Sequence, residues 1–198
     1  MPELKREQEN TELPEVEEVF GPETVMIFPT DTVYGLGGNG RSDKVVSRIY
    51  RIKQRSRKKP LSLHLFSIDE ISNYTAELVD RQKDLISELL PGPYTLILPA
   101  GPDAPASSVS EERKVGIRVP DCPSFLELSD HINYPLVGTS VNKSGDEPLT
   151  DFEEIVEKFG GLVDLFIEAQ EEIENKPSTV LDITFDPPKV LRGSHPRQ

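Results

Sequence analysis

Three short polar stretches in this sequence hold side chains suited to an anionic ligand. "IKQRS" sets Lys53 and Arg55 two residues apart. On a helix, positions i and i+2 do not share a face, so both cations reach one ligand only from a helix end or from extended chain. "GTSVN" sets Ser140 and Asn142 at the same spacing, where the apolar run Leu136–Ser140 finishes. In extended chain those two side chains point the same way, and a hydroxyl beside an amide suits a phosphate or a sugar. Turn chemistry is the alternative, because Ser and Asn are common turn formers. The third stretch, "FPTDTVYGLGG" at residues 28–38, ends an apolar run in threonines, an aspartate, a tyrosine and a run of glycines. In an open α/β sheet, ligands bind where strands end.

Single residues add to these. Arg118 lies inside the apolar strand "GIRVP" and needs a carboxylate or phosphate partner, because an unpaired buried charge is very costly. Asp31 is an internal candidate for that partner. His64 in "LSLHLF" shares a strand face with Ser62 and Phe66, while Leu61, Leu63 and Leu65 take the other; a satisfied structural histidine is the plain alternative. Arg192 follows a short strand and reads equally as a surface charge. Gly35, Gly37 and Gly40 satisfy G-x-G-x-x-G, but six residues separate them from Phe28 and the region downstream is basic, so a dinucleotide fold is rejected. There is no P-loop, H-E-x-x-H or G-x-S-x-G motif. His64, His131 and His195 have no metal-ligand spacing.

The elements that position these residues follow from pattern and composition. The chain has 198 residues with 35% hydrophobic and 29% charged, enough for one globular domain. No apolar run nears the roughly 20 residues of a bilayer span, and the N-terminus lacks the apolar core of a secretory signal. Cys122 is the only cysteine, which rules out an internal disulfide and a cysteine-based zinc site. A cytoplasmic location follows. The net charge of −13 argues against a general nucleic-acid-binding protein. Yet nine of the 22 lysines and arginines fall between Arg41 and Lys59, with one acid, Asp43, among them. That segment reads as an anion site, or else as a solvated basic helix face.

Strand patterns cover Thr24–Phe28, Leu61–Phe66, Tyr94–Leu98, Val115–Val119, Leu136–Ser140, Val163–Ile167, Thr179–Ile183 and Lys189–Leu191. Helical patterns cover Asp43–Lys53, Asp80–Leu90, Ser124–His131 and Asp151–Phe159. The alternation predicts an α/β fold, and short links such as "TFDPP" make the sheet mixed. Residues 1–19 read as an acidic, partly disordered lead-in and residues 20–198 as a single domain. The Pro/Ala/Ser-rich stretch 99–114 reads as a mobile flap beside a site. The glycines from Gly35 to Gly40 read as a loop that lets backbone approach a ligand.

"PTDTVYGLG", "IKQRS…KPLSLHL", "LPGPYTLIL", "VGIRVPD", "VGTSVNKSG", "PSTVLDI" and "VLRG" resemble, in order, the motifs of the YrdC-type threonylcarbamoyl-AMP synthases of the YrdC/YciO-like family. The match covers residues 24–193. The resemblance implies a twisted mixed α/β sheet with flanking helices and a cationic concave cleft. It implies a nucleotidyltransferase that joins L-threonine, bicarbonate or CO2, and ATP into threonylcarbamoyl-AMP and pyrophosphate. The product would serve the downstream tRNA threonylcarbamoyl-transferase machinery. By resemblance, Thr32, His64, Arg118 and Ser178 surround threonine. Lys53, Arg55, Ser140, Asn142 and Arg192 surround ATP and the carbamoyl-forming anion, and the catalytic set is Lys53, Arg55, Ser140 and Asn142. Lys59 stands at a presumed ATP contact where the family usually has Asn. Mg2+ accompanies ATP, and no protein metal site is implied. The chain reads as a short form without the extra C-terminal domain of longer relatives. A sister branch, the YciO-like proteins, lacks the S-x-N pair, so "TSVN" favours a synthase. The rival is a non-catalytic YciO-like module holding a nucleotide or RNA, and a weak RNA interaction is compatible with either.

Overall fold

A computed structural model describes Leu4–Lys5 and residues 19–194. Ten strands form one mixed sheet: β1 (Leu4–Lys5), β2 (Val25–Phe28), β3 (Gly35–Asn39), β4 (Ser62–His64), β5 (Tyr94–Pro99), β6 (Lys114–Arg118), β7 (Leu136–Ser140), β8 (Leu165–Ile167), β9 (Thr179–Asp182) and β10 (Lys189–Arg192). Their order across the sheet is β1-β8-β2-β3-β7-β4-β6-β5-β9-β10. The β2/β8, β4/β6 and β5/β9 pairs are parallel and the rest antiparallel. The helices are α1 (Asp43–Lys53), α2 (Ile71–Tyr74), α3 (Asp80–Leu89), α4 (Pro123–Leu126) and α5 (Phe152–Phe159).

Strand periodicity sorts side chains into two faces. Val25, Ile27, Leu36, Leu63, Leu96, Ile117, Val137 and Leu181 pack with Val45, Ile49, Ile86 and Ile155 of the helices in the main core. Their neighbours in sequence face the other way. There Met26, Phe28 and Leu136 meet Phe125, Leu128 and Phe20 in a smaller core. That second face is roofed by short helical turns near β2 and β7. Along β4, β6, β5 and β10 it carries polar side chains: His64, Arg118, Thr95 and Arg192. The polar set therefore shares one side of the sheet, opposite the long helices.

The glycine run is the largest departure from expectation. Gly35–Asn39 is not a loop but the buried strand β3, between β2 and β7. Side-chain packing explains it. The Phe28 ring lies over Gly35, Gly37 and Gly138, and a Cβ on any of them would come within 2.5 to 2.9 Å of it. On Gly37 it would also run into the Val137 carbonyl. Gly35 and Gly37 seat an aromatic ring, while Gly38 faces Thr24 O and Val45, and Gly40 faces Val137 and Pro105.

A second difference lies at Ser124–His131. Instead of one helix there is α4, opened by Pro123 at its first turn, followed by a 3-10 turn, Glu127–Asp130. Phe125 of α4 and Leu128 of the 3-10 turn both pack onto the second face. The stretch 99–114 is tied down in its middle. Leu61 N–H donates to Ser107 O at 2.9 Å, and the Ser107 hydroxyl donates to Gly40 O at 3.2 Å. Of the acidic lead-in, Leu4–Lys5 pairs with β8, and the rest up to residue 18 lies outside the described residues. His195 also lies outside them.

Candidate active site

Lys53 ends α1. Gln54 follows in the left-handed region at φ 50°, its N–H donating to the Arg51 and Tyr50 carbonyls, and this turn takes the chain off the helix axis before Arg55. The K-x-R pair thus straddles a helix end, as its spacing requires. Lys53 does not face solvent: it is 1% exposed. Its ammonium donates to the Ser140 carbonyl at 2.7 Å and to Asn142 Oδ1. The Ser140 hydroxyl donates to the same Asn142 Oδ1 at 2.8 Å, and Asn142 Nδ2 donates to Asp146 O at 2.6 Å. Ser140 and Asn142 therefore meet, and Lys53 joins the K-x-R and S-x-N pairs into one unit. Burial, with the neighbouring charge of Arg55 added, pushes the Lys53 ammonium down to about 7, against the pull of Asp146.

Arg55 donates from Nε to Lys59 O at 3.0 Å and from Nη2 to Pro60 O at 2.9 Å. Lys59 therefore contributes its backbone to the site's frame, while its side chain is exposed.

The β2–β3 connection holds the second group. Thr30 and Thr32 are fully buried. The Thr30 hydroxyl donates to Val33 O at 2.6 Å, accepts from Thr32 N–H at 3.2 Å and lies 3.1 Å from the Thr32 hydroxyl. Between them, Asp31 turns to Arg118, whose Nη2 donates to Oδ1 at 2.6 Å. The internal partner expected for the guanidinium is thus present. Asp31 Oδ2 and Arg118 Nε are buried with no partner. Burial raises the Asp31 carboxyl above its ordinary range, with Arg118 pulling it back. His64 sits in register with Arg118 across β4 and β6. Its Nδ1 lies 3.2 Å from Ser62 O, and its ring stands edge-on to Phe28 at 5.3 Å. Burial and the Arg118 charge push it down to about 3, so the imidazole is neutral. With Nδ1–H donating to the Ser62 carbonyl, Nε2 is left as an acceptor.

Ser178 and Arg192 form the third group. Arg192 donates from Nε to Ser178 O at 3.0 Å and from Nη2 to Ser178 Oγ at 2.9 Å; that hydroxyl also meets Thr95 Oγ1 at 2.8 Å. Two residues assigned to different substrates by resemblance are therefore in direct contact. Burial lowers Arg192, and the Arg55 charge lowers it further; Arg192 in turn acts on Arg118. Lys53, Arg55, Arg192 and Arg118 are four basic side chains close enough to act on one another in sequence, with Asp146 acting on Lys53 and Asp31 and Glu174 on Arg118. Sequence reading missed Thr30 and Thr95, which look like ordinary strand-end threonines, and left Asp31 as no more than a candidate partner.

The fold is a mixed α/β domain, with its long helices on one face of the sheet and the polar side chains of His64, Thr95, Arg118 and Arg192 on the other. The Sua5/YciO/YrdC family model, described as "Telomere recombination", matches residues 18–194, and the chain belongs to that family. It is 34% identical over 169 residues to the threonylcarbamoyl-AMP synthase of Bacillus subtilis, covering 85% of this chain and 49% of that protein. Among solved structures it resembles P. abyssi Sua5 complexed with L-threonine, with TM-score 0.81, 30% identity, and coverage of 89% of this chain and 53% of that one. It resembles E. coli YciO equally, with TM-score 0.80, 30% identity, and coverage of 88% and 85%. The chain spans about half the length of the Bacillus and P. abyssi proteins. Among the described residues, no helix is long and apolar enough to cross a membrane.

Proposed function

We propose that this protein is an L-threonylcarbamoyladenylate synthase, a nucleotidyltransferase that makes threonylcarbamoyl-AMP and pyrophosphate from L-threonine, bicarbonate or CO2, and ATP. The observation that carries the reading is the row of cations running from the Ser140–Asn142 pair, through Lys53, Arg55 and Arg192, to Arg118 beside Asp31, Thr32 and His64. A triphosphate fits the first end and an amino acid the second.

The chemistry needs no protein nucleophile. Threonine's amine attacks the carbon of CO2 or bicarbonate, the carbamate oxygen attacks the α-phosphorus, and pyrophosphate leaves. The protein must place three polar reactants and neutralise developing negative charge. Lys53, Arg55 and Arg192 are positioned for the second task, and Thr32, His64 Nε2 and Ser178 offer polar partners to a hydroxy amino acid. By resemblance, Mg2+ would arrive on the triphosphate as part of the substrate. The product would pass, in the cytoplasm, to the enzymes that modify tRNA.

Both branches of the family share this fold, so the sheet does not separate a synthase from a YciO-like binding module. By resemblance the S-x-N pair, which the YciO-like branch lacks, favours the synthase; here Lys53 donates to Asn142 Oδ1 of that pair and to the Ser140 backbone carbonyl. Pyrophosphate release that requires ATP, threonine and bicarbonate together is the expected result. Release indifferent to threonine would overturn the reading. Arg55→Ala should lower the rate at least about tenfold, equal to about 1.4 kcal/mol of transition-state stabilisation.

A further inference from the structure

We infer that Asp31 recognises the α-ammonium of the amino-acid substrate and so makes the site selective for a zwitterion over a hydroxy acid. The inference deepens the proposed function and rests on it. Its starting point is an ion pair with two loose ends. Arg118 and Asp31 share one contact of 2.6 Å, their side chains are 7% and 10% exposed, and each keeps one buried polar atom without a partner. A buried polar atom left unpaired is costly, and more so when charged, so such atoms mark something still to be bound.

The two orphans are of opposite kind. Asp31 Oδ2 is an acceptor with negative charge, and Arg118 Nε is a donor with positive charge. The head of an α-amino acid carries the matching pair, an ammonium and a carboxylate on one carbon. A phosphate or a simple carboxylic acid would satisfy Arg118 and leave Asp31 as a repelling charge. Around the pair stand the Thr30 and Thr32 hydroxyls on either side of Asp31 in sequence and the neutral His64 beside Arg118, while the charges of Glu174 and Asp121 act on Asp31 and those of Arg192 and Glu174 on Arg118. No second cation among the described residues forms an ion pair with Asp31. One structural alternative uses the same atoms. A small rotation would let Nε meet Oδ2 and close a two-pronged fork, in which case Asp31 would only hold Arg118 in place.

Calorimetry with two ligands separates these. L-Threonine and its analogue 2,3-dihydroxybutanoate differ only in ammonium against hydroxyl, and the analogue is an anion where threonine is neutral overall. The wild-type protein should prefer threonine at least about tenfold, or about 1.4 kcal/mol. In Asp31→Asn, threonine should weaken at least about tenfold, while the dihydroxy acid should bind as well or better, because a like charge has been removed. Misfolding cannot produce opposite changes in one preparation. Asp31→Glu, which keeps the charge, should retain part of the preference. If Asp31→Asn weakens both ligands equally, Asp31 only positions Arg118 and the inference fails while the function stands. If the wild-type protein binds no threonine, the proposed function fails and takes the inference with it.

Discussion

At the scale of single residues, Lys53 departs most from what its neighbours in sequence suggest. A lysine at the end of a cationic helix reads as a solvent-facing ligand contact. The structure instead buries its ammonium against a carbonyl and an amide oxygen, with no carboxylate in contact. Its charged form is therefore disfavoured in the fold, with a folded value of about 7 against 10.5 for the ordinary side chain. Between those values the unfolded chain holds more protons than the folded one, so stability must rise with pH across that window. Below about 7 both states are protonated and the full cost of the buried charge is felt. Paired melting curves of wild type and Lys53→Met should show the wild type gaining on the variant from pH 7 to 10. A constant difference would mean that the ammonium is not desolvated. Spacing alone placed the helix end and the meeting of Ser140 with Asn142, because both follow from local geometry. The depth of Lys53 depends on where β7 lies, which no local pattern records.

At the scale of elements, β3 teaches the same lesson. Four glycines in six residues have low strand propensity, and a pattern reading takes them for a loop. The sheet overrides propensity because Phe28, on the neighbouring strand, needs a bare surface to lie on. β2 and β4 to β10 were legible because their apolar patterns survive, whereas β1 falls in the stretch read as an acidic lead-in; in β3 glycine stands where the pattern would show. A double-mutant cycle tests the cause. Gly35→Ala, whose nearest atoms all belong to the Phe28 ring, should cost about 1–3 kcal/mol by overpacking. Combined with Phe28→Leu, the loss should fall short of the sum of the single changes by about 1 kcal/mol or more. Gly37→Ala should not be rescued in this way, because there the obstacle is the Val137 carbonyl. Additivity at Gly35 would refute the packing explanation.

At the scale of the whole molecule, the acidic surface and the buried cations act at different ranges. A net charge of −13 repels polyanions at a distance, while Lys53 and Arg118 are buried and act only at short range. A nucleotide with threonine should therefore raise the melting temperature, each ligand contributing about 2.7 kcal/mol of stability when a hundredfold above its dissociation constant. A tRNA at about 0.15 M salt should shift it little, since backbone binding grows with the cations offered to phosphate. An equal shift from RNA would favour the binding-module reading. The strand order carries one more consequence. β8 and β9 are consecutive in sequence yet lie near opposite edges of the sheet, second and ninth in order. The chain between them crosses from edge to edge. On the way Ala169 N–H donates to the Tyr34 hydroxyl, Gln170 N–H to the Ser124 hydroxyl and Glu174 N–H to Asp31 O. Ser178 and Arg192 stand at and beyond its far end. During synthesis the ribosome has delivered Lys53, Arg118 and Ser140 long before this crossing emerges, so a nascent chain would hold most of the polar groups and still lack the belt that brings the last two to them. A chain stalled at Ile167 would lack Ser178 and Arg192.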